Sequence, residues 1–184
     1  MDRRQRKTRE SIFRAFSSLL SEKNVSKITV EEIICKADVG RATFYAHFET
    51  KDYLLKEFCS ELFCHIFDSM TEEGSDHRHI FDCDAPDSVF QHLFMHIKKN
   101  DNHILDLLSC ENNQVFLNYF KDGLKELAES QIDIIGNSKA DELPRDFRIN
   151  HIVSTFTETV RWWVNNDMIE TPEQINEYFV KVLS

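Results

Sequence analysis

Residues 40–51, GRATFYAHFETK, concentrate side chains that can donate hydrogen bonds to a polar or anionic partner. Arg41 can present two parallel donors to a guanine edge, and Thr43 can bond a base or a phosphate while its methyl group contacts thymine. Tyr45 and His47 can donate to backbone phosphates as neutral groups. The chemistry that these residue types predict is recognition of nucleic acid.

Histidine and cysteine side chains offer a second kind of chemistry, the ligation of a metal ion. His92 and His96 stand four residues apart on one predicted helix face, and His77, His79 and Cys83 precede them in a predicted loop. This spacing is loose, and histidines are common on helix surfaces. We therefore expect no metal and no other cofactor, and a metal-sensing or redox-sensing role is the alternative interpretation.

The cysteines indicate a reducing compartment and no disulfide framework. Their number is odd and no pair has CxxC spacing; they are Cys35, Cys59, Cys64, Cys83 and Cys110. Cys64 and His65 are neighbours in the chain, but adjacent residues of a helix point about 100° apart and do not form a nucleophile and base pair. We expect no structural disulfide and no enzymatic activity.

The charges divide unevenly along the chain of 184 residues, whose formal net charge is -10. Residues 1–51 carry 11 Lys and Arg against 7 Asp and Glu, whereas the remaining residues carry 11 against 25. The positive excess starts in an N-terminal arm that includes Arg4 and Arg6 and suits binding to phosphates, with a solvated terminus as the alternative. The acidic remainder repels nucleic acid.

Neither a secretory signal nor a membrane span is expected. Met1 is followed directly by charged residues, and no apolar run approaches the roughly 18 residues that cross a bilayer. We expect a cytoplasmic protein without a membrane partner.

Apolar residues recur at helical spacing along nearly the whole chain, and they predict an all-α fold of about nine helices. Residues 29–32 and 171–174 have the form of capping boxes that start a helix. The predicted helices are 8–23, 29–36, 40–47, 50–72, 86–99, 102–109, 113–135, 146–166 and 172–183. We expect a helix-turn-helix domain at residues 1–50 and a larger helical domain at residues 51–184.

The tight turn at residues 37–40 joins two short predicted helices, which is the arrangement of a helix-turn-helix. Phe44 and Phe48 are expected to pack inward, so the opposite face of the second helix is available to lie in a major groove. Thr29 and Lys51 stand near helix starts, where exposed backbone N–H groups can bind a phosphate.

Residues 28–55, ITVEEIICKADVGRATFYAHFETKDYLL, resemble the DNA-binding domain of the TetR family of bacterial repressors. The matching residues are Thr29, Ala37, Val39, Thr43, Phe44, Tyr45, Phe48, Lys51 and Leu54. The resemblance covers about residues 5–55 and implies a homodimer whose larger C-terminal domain holds an effector pocket. The family usually has glycine where Asp38 and Ala42 stand, and aspartate is expected to adopt the left-handed backbone that the turn needs.

These observations predict a ligand-responsive repressor that binds a palindromic operator as a homodimer and is released by an effector. The expected contacts with operator DNA are Thr29, Arg41, Ala42, Thr43, Tyr45, His47 and Lys51, together with Arg4 and Arg6 of the arm. A helical interaction protein without DNA affinity is the alternative from a different class.

The last two predicted helices resemble the final helix pair of one branch of the same family. Their apolar stripes predict a four-helix dimer interface across a twofold axis, built from Phe156, Val160, Trp163, Ile175, Tyr178, Phe179 and Val182. The C-terminal part is rich in aromatic residues, which commonly line ligand pockets. Phe94, Phe116 and Phe120 are the candidates for an effector pocket.

Overall fold

The computed structural model describes residues 3–20, 22–68, 86, 88–99, 104–109, 114–135 and 142–183. Within them it is all-helical, as predicted. The α-helices are α1 (Arg3–Leu20), α2 (Val30–Ala37), α3 (Arg41–His47), α4 (Lys51–Asp68), α5 (Val89–Lys99), α6 (Ile104–Ser109), α7 (Gln114–Ile135), α8 (Arg145–Asn165) and α9 (Pro172–Leu183). A single 3₁₀ turn, Val25–Lys27, precedes α2.

The first helix begins earlier than predicted. Its start at Arg3 shows that the basic arm is the first turns of α1 and not an irregular segment. Arginine, lysine and glutamine are good helix formers, so the helix extends through them without an apolar stripe. The predicted extension of α4 to residue 72, and the loop residues His77, His79 and Cys83, lie outside the described residues.

A reciprocal cap starts α2. The backbone N–H of Glu32 donates to Oγ1 of Thr29 at 3.3 Å, and the backbone N–H of Thr29 donates to the Glu32 carboxylate at 2.9 Å. Hydrogen bonds from Lys23 and then from Thr29 lower the pKa of Glu32 from 4.5 to about 2. The predicted capping box is confirmed.

This carboxylate makes the stability of the N-terminal helices depend on pH. Because its pKa is lower in the folded state, its contribution is complete above pH 4.5 and is lost as the pH falls towards about 2. We expect the difference in free energy of unfolding between wild type and Glu32→Gln to shrink as urea melts are moved from pH 6 to pH 3. A difference that stays constant over this range would contradict the assignment.

The turn between α2 and α3 depends on one residue with left-handed backbone. Asp38 has φ 53° and ψ 49°, and its N–H donates to the carbonyl of Cys35. The backbone N–H of Val39 donates to the carbonyl of Ile34 at 3.1 Å, so the last carbonyls of α2 are satisfied. Aspartate therefore occupies the conformation that was expected of it.

Aromatic packing joins the N-terminal helices to α4. The ring of Phe58 on α4 lies 5.7 Å from Phe16 and 6.1 Å from Phe13, both on α1.

The guanidinium of Arg9 on α1 lies over the rings of Phe13 and Phe48. It also pairs with two carboxylates of α4, those of Glu57 at 2.6 Å and Glu61 at 3.4 Å. These contacts join α4 closely to α1.

The C-terminal helices enclose an aromatic core. Phe94 stacks on Phe156 at 4.6 Å and meets the edge of Trp163 at 5.8 Å, while Phe179 of α9 contacts both phenylalanines. Helix α7 packs against α4 on one side and α8 on the other. In the described part of the chain, no helix combines the length and the apolar character that crossing a membrane requires.

Candidate nucleic-acid interface

Helix α3 is held by two aromatic side chains and exposes its other face. Phe44 and Phe48 are 0% exposed, and their rings pack against each other at 5.9 Å. The outward residues are Arg41, Ala42, Thr43 and Tyr45, and the Tyr45 side chain is 47% exposed. His47, in the last turn, is half-buried. The structure thus brings the polar residues of the predicted recognition helix together on one accessible surface, here called the α3 face.

Arg41 has a carboxylate partner on the preceding helix. Its guanidinium forms a hydrogen bond and ion pair with Glu31 of α2, which raises the pKa of Arg41. The side chains are 66% and 61% exposed, so salt weakens this pair. Glu31 holds the arginine in this structure, and the contact of Arg41 with DNA stays a prediction.

Two residues predicted to touch phosphate also have structural partners. Nζ of Lys51 donates to the carbonyl oxygens of Val25 and Ile28, both at 2.9 Å, and so connects the start of α4 to the turn before α2. Thr29 is exposed, but its hydroxyl takes part in the cap with Glu32. Their contacts with DNA stay predictions, and in the free protein both side chains stabilise the N-terminal helices.

The basic residues of α1 divide into two groups. Arg4 and Arg6 are exposed, and Arg6 lies 3.8 Å from Glu10 on the same helix. Arg9 is only 20% exposed, because it contacts α4 and two aromatic rings. Arg9 therefore packs between α1 and α4, and its side chain is not available to bind a phosphate.

The residues predicted for the dimer interface separate into buried and exposed sets. Five of them, Phe156, Val160, Trp163, Ile175 and Phe179, are at most 9% exposed inside the protomer. This burial leaves them little exposed surface in the protomer, and their contacts with a second copy stay a prediction. Tyr178 and Val182 remain exposed, and Trp162, which the sequence analysis passed over, joins them with its ring 6.4 Å from that of Tyr178.

The aromatic residues predicted for an effector pocket are largely core. Phe94 is 0% and Phe116 1% exposed. Phe120 lines a cleft of about 500 Å³, bounded by α6, α7 and α8. Its other lining residues are Leu105, Leu108, Leu117, Lys121, Phe156, Thr157, Val160, Arg161, Val164 and Asn165.

The histidines of α5 are not surface residues. His92 is 0% and His96 1% exposed, and a third histidine, His65 of α4, lies against both. Sequence spacing identified the first two, which share a helix face, but it contains no signal that pairs His65 with α5.

Cys59 is also buried, and this burial raises the pKa of its thiol, so the residue lacks the thiolate that a redox sensor needs.

A helix-turn-helix with an exposed second helix, followed by a larger helical part, is the architecture of a DNA-binding transcriptional regulator. A family model described as the transcriptional regulator C-terminal region matches residues 84–184. Another, described as bacterial regulatory proteins of the tetR family, matches residues 12–58. The chain belongs to the TetR family of transcriptional regulators.

Solved structures and curated relatives agree with this family. A TetR transcriptional regulator from Streptococcus agalactiae is 33% identical, with a TM-score of 0.71 over 100% of this chain and 97% of that one. A TetR-family regulator from Syntrophomonas wolfei shares the fold at 19% identity, with a TM-score of 0.69 over 96% of this chain and 93% of that one.

The helix-turn-helix-type transcriptional regulator YxbF of Bacillus subtilis is 38% identical over 76 residues, which are 41% of this chain and 20% of YxbF. The similar regulator YvdT of Bacillus subtilis is 31% identical over 61 residues, which are 33% of this chain and 31% of YvdT. The matches thus span less than a third of either Bacillus protein.

Proposed function

We propose that this DNA-binding regulator is a repressor that binds a palindromic operator as a homodimer and is released by a small-molecule effector. The observation that carries the proposal is the α3 face, on which Arg41, Thr43 and Tyr45 are exposed while Phe44 anchors the helix. Residues 1–50 bind DNA in this proposal, and residues 51–184 dimerise and bind the effector. Such a regulator acts in the cytoplasm, where the operator is.

The dimer forms through the outer surface of α8 and α9. A cleft of about 510 Å³ between these helices is lined by Trp162, Tyr178 and Val182, among others. Exposed aromatic and aliphatic residues in one patch are typical of a protein interface. A twofold axis through this patch pairs α8 and α9 with their copies, so that the two copies of α3 reach half-sites about 34 Å apart.

The effector binds in the cleft between α6, α7 and α8. Leu105, Leu108 and Phe120 supply an apolar wall, and Lys121 and Arg161 supply positive charge at its edge. An effector with an apolar body and an acidic group matches this lining. Helix α7 packs against α4. A ligand that favours another position of α7 therefore also favours another position of α4, and with it another spacing of the two α3 helices. This change in spacing lowers the affinity for DNA.

Substitution of Arg41 tests the DNA contact. We expect Arg41→Ala to weaken binding to DNA upstream of the protein's own gene by about 1–3 kcal/mol, or roughly five- to 150-fold, and to reduce the slope of log affinity against log salt. Fluorescence anisotropy of labelled DNA at several salt concentrations measures both quantities.

Arg145→Ala is the matched control, because it removes a similarly exposed arginine at the start of α8, which also pairs with a carboxylate. It should leave the affinity and the salt slope unchanged. Equal affinities for wild type and Arg41→Ala would remove α3 as the contacting helix. Absence of any salt-dependent binding to upstream DNA would favour the interaction protein instead.

A further inference from the structure

Three imidazole rings from two helices meet in the C-terminal part. His65 lies in the last turn of α4, and His92 and His96 occupy successive turns of α5. The ring centroids are 4.9–5.0 Å apart in all three pairs. One ring nitrogen from each histidine lies within 4.8 Å of the others, and in the described residues this is the group whose ligand atoms converge closely enough to hold a metal ion.

The separations suit a tetrahedral ion. Nε2 of His92 and Nε2 of His96 are 3.2 Å apart. With Zn–N bonds of about 2.0–2.1 Å, two ligand nitrogens of a tetrahedral zinc ion stand about 3.3 Å apart. The two Nε2 atoms are therefore already at close to the required separation. The ligand nitrogen of His65 lies within 4.8 Å of both and would move closer to them to complete one face of the tetrahedron.

The site is largely shielded from water. His92 and His96 are buried and His65 is half-buried, so the three rings meet inside the protein.

We propose that His65, His92 and His96 form a binding site for a late first-row divalent transition ion, Zn²⁺ above all, which joins α4 to α5. Imidazole ligands suit Zn²⁺, Ni²⁺ and Cu²⁺ and suit Mg²⁺ and Ca²⁺ poorly. Three histidines leave the fourth tetrahedral position to water or another oxygen ligand. The metal is a regulatory ligand, and this role, unlike the binding itself, rests on the proposed function.

Helix α4 connects the site to the DNA-binding helices. His65 follows Glu61 by four residues, which is about 6 Å along the helix axis. Glu61 and Glu57 hold Arg9 of α1, and Lys51 at the start of the same helix holds the turn before α2. A metal ion that fixes the end of α4 to α5 therefore fixes the helix on which the position of the α3 face depends.

Cobalt titration of the full-length, chelator-treated protein tests the site. We expect one Co²⁺ per chain, with the visible absorption of tetrahedral cobalt and without the near-ultraviolet sulfur-to-cobalt band that cysteine ligands produce. Zn²⁺ should displace the Co²⁺. A sulfur-to-cobalt band, or no cobalt absorption with the metal in excess, would overturn the assignment without reference to any variant.

Variants identify the ligands. His65→Gln and His92→Gln should each weaken Co²⁺ binding at least about a hundredfold, beyond the loss typical of changes outside the ligand shell. His151→Gln removes an exposed histidine of α8 and should bind Co²⁺ as wild type does. Circular dichroism of the metal-free variants shows whether they remain folded. Wild-type binding by a folded His65→Gln would exclude the three-histidine site.

DNA binding is measured separately, with and without Zn²⁺. We expect Zn²⁺ to change operator affinity at least about fivefold in the wild type and to have no effect in His65→Gln, and DNA should change Zn²⁺ affinity by the same factor. An operator affinity that is the same with and without bound Zn²⁺ would overturn the regulatory role. If the metal binds but no DNA does, the proposed function fails while the metal site stands.

Discussion

Phe44→Ala should lower the free energy of unfolding by about 3–5 kcal/mol, because the ring is completely buried and its removal leaves a cavity. The ring packs against Phe48 at 5.9 Å, and through it against Phe13 of α1 at 5.5 Å. Without this ring, α3 no longer packs firmly against the other N-terminal helices. Urea unfolding of the full chain, followed by circular dichroism, measures the loss, and operator binding should disappear with it.

Tyr45→Phe is the matched control for this prediction. Tyr45 is the next residue of α3 and lies on its exposed face. In the proposed complex its hydroxyl contributes to DNA affinity, whereas it contributes little to stability, so we expect the free energy of unfolding to change by no more than about 0.5 kcal/mol. Operator affinity should fall about fivefold, the value of one hydrogen bond of about 1 kcal/mol. Equal destabilisation by the two substitutions would contradict the burial of Phe44 and the exposure of Tyr45 on α3.

Gly123→Ala should destabilise the protein although alanine is the better helix former. Gly123 lies on α7 where Phe63 of α4 crosses it, and a Cβ atom there would stand 2.8 Å from Cγ of the Phe63 ring and closer still to Cδ2 and Cε2. The gain in helix propensity is about 1 kcal/mol, whereas overpacking at so close a contact costs about 3 kcal/mol. We expect a net loss of about 2 kcal/mol in urea unfolding.

A second substitution separates this clash from other effects of alanine. Phe63→Leu in the Gly123→Ala background removes the ring atoms that the new methyl group meets, so part of the lost stability should return. Phe63→Leu alone should destabilise, because the ring fills the space beside Gly123 and Phe120. Losses that simply add in the double variant would contradict the close approach of α4 and α7.

The local features of the N-terminal helices could be predicted from the sequence alone. The cap of α2 depends on Thr29 and Glu32, three residues apart, and the left-handed turn depends on Asp38. The exposed side of α3 follows from the positions of Phe44 and Phe48, because a helix places residues on its faces by their spacing. Each of these features is decided within about four residues of chain, which is the distance over which sequence patterns are informative.

Contacts between helices could not be predicted in the same way. Lys51 reaches the carbonyl of Val25, and Arg9 reaches Glu57, across separations that no periodicity links. The apolar stripes of α8 and α9 were recognised, but a stripe is equally apolar whether it faces its own protomer or a second copy. Only the packing of α8 against α5 and α9 showed that Phe156 and Trp163 lie inside.

The sequence by itself determined the helices, their caps, the helix-turn-helix and the polar surface of α3, since these depend on residues that are neighbours along the chain. The tertiary structure decided which side chains from distant helices share a site. His92 and His96 were visible as a pair because they are one turn apart, whereas His65 joins them only because α4 packs beside α5. Packing of this kind depends on the fit of whole helix surfaces, and the spacing of residues within one helix does not specify it.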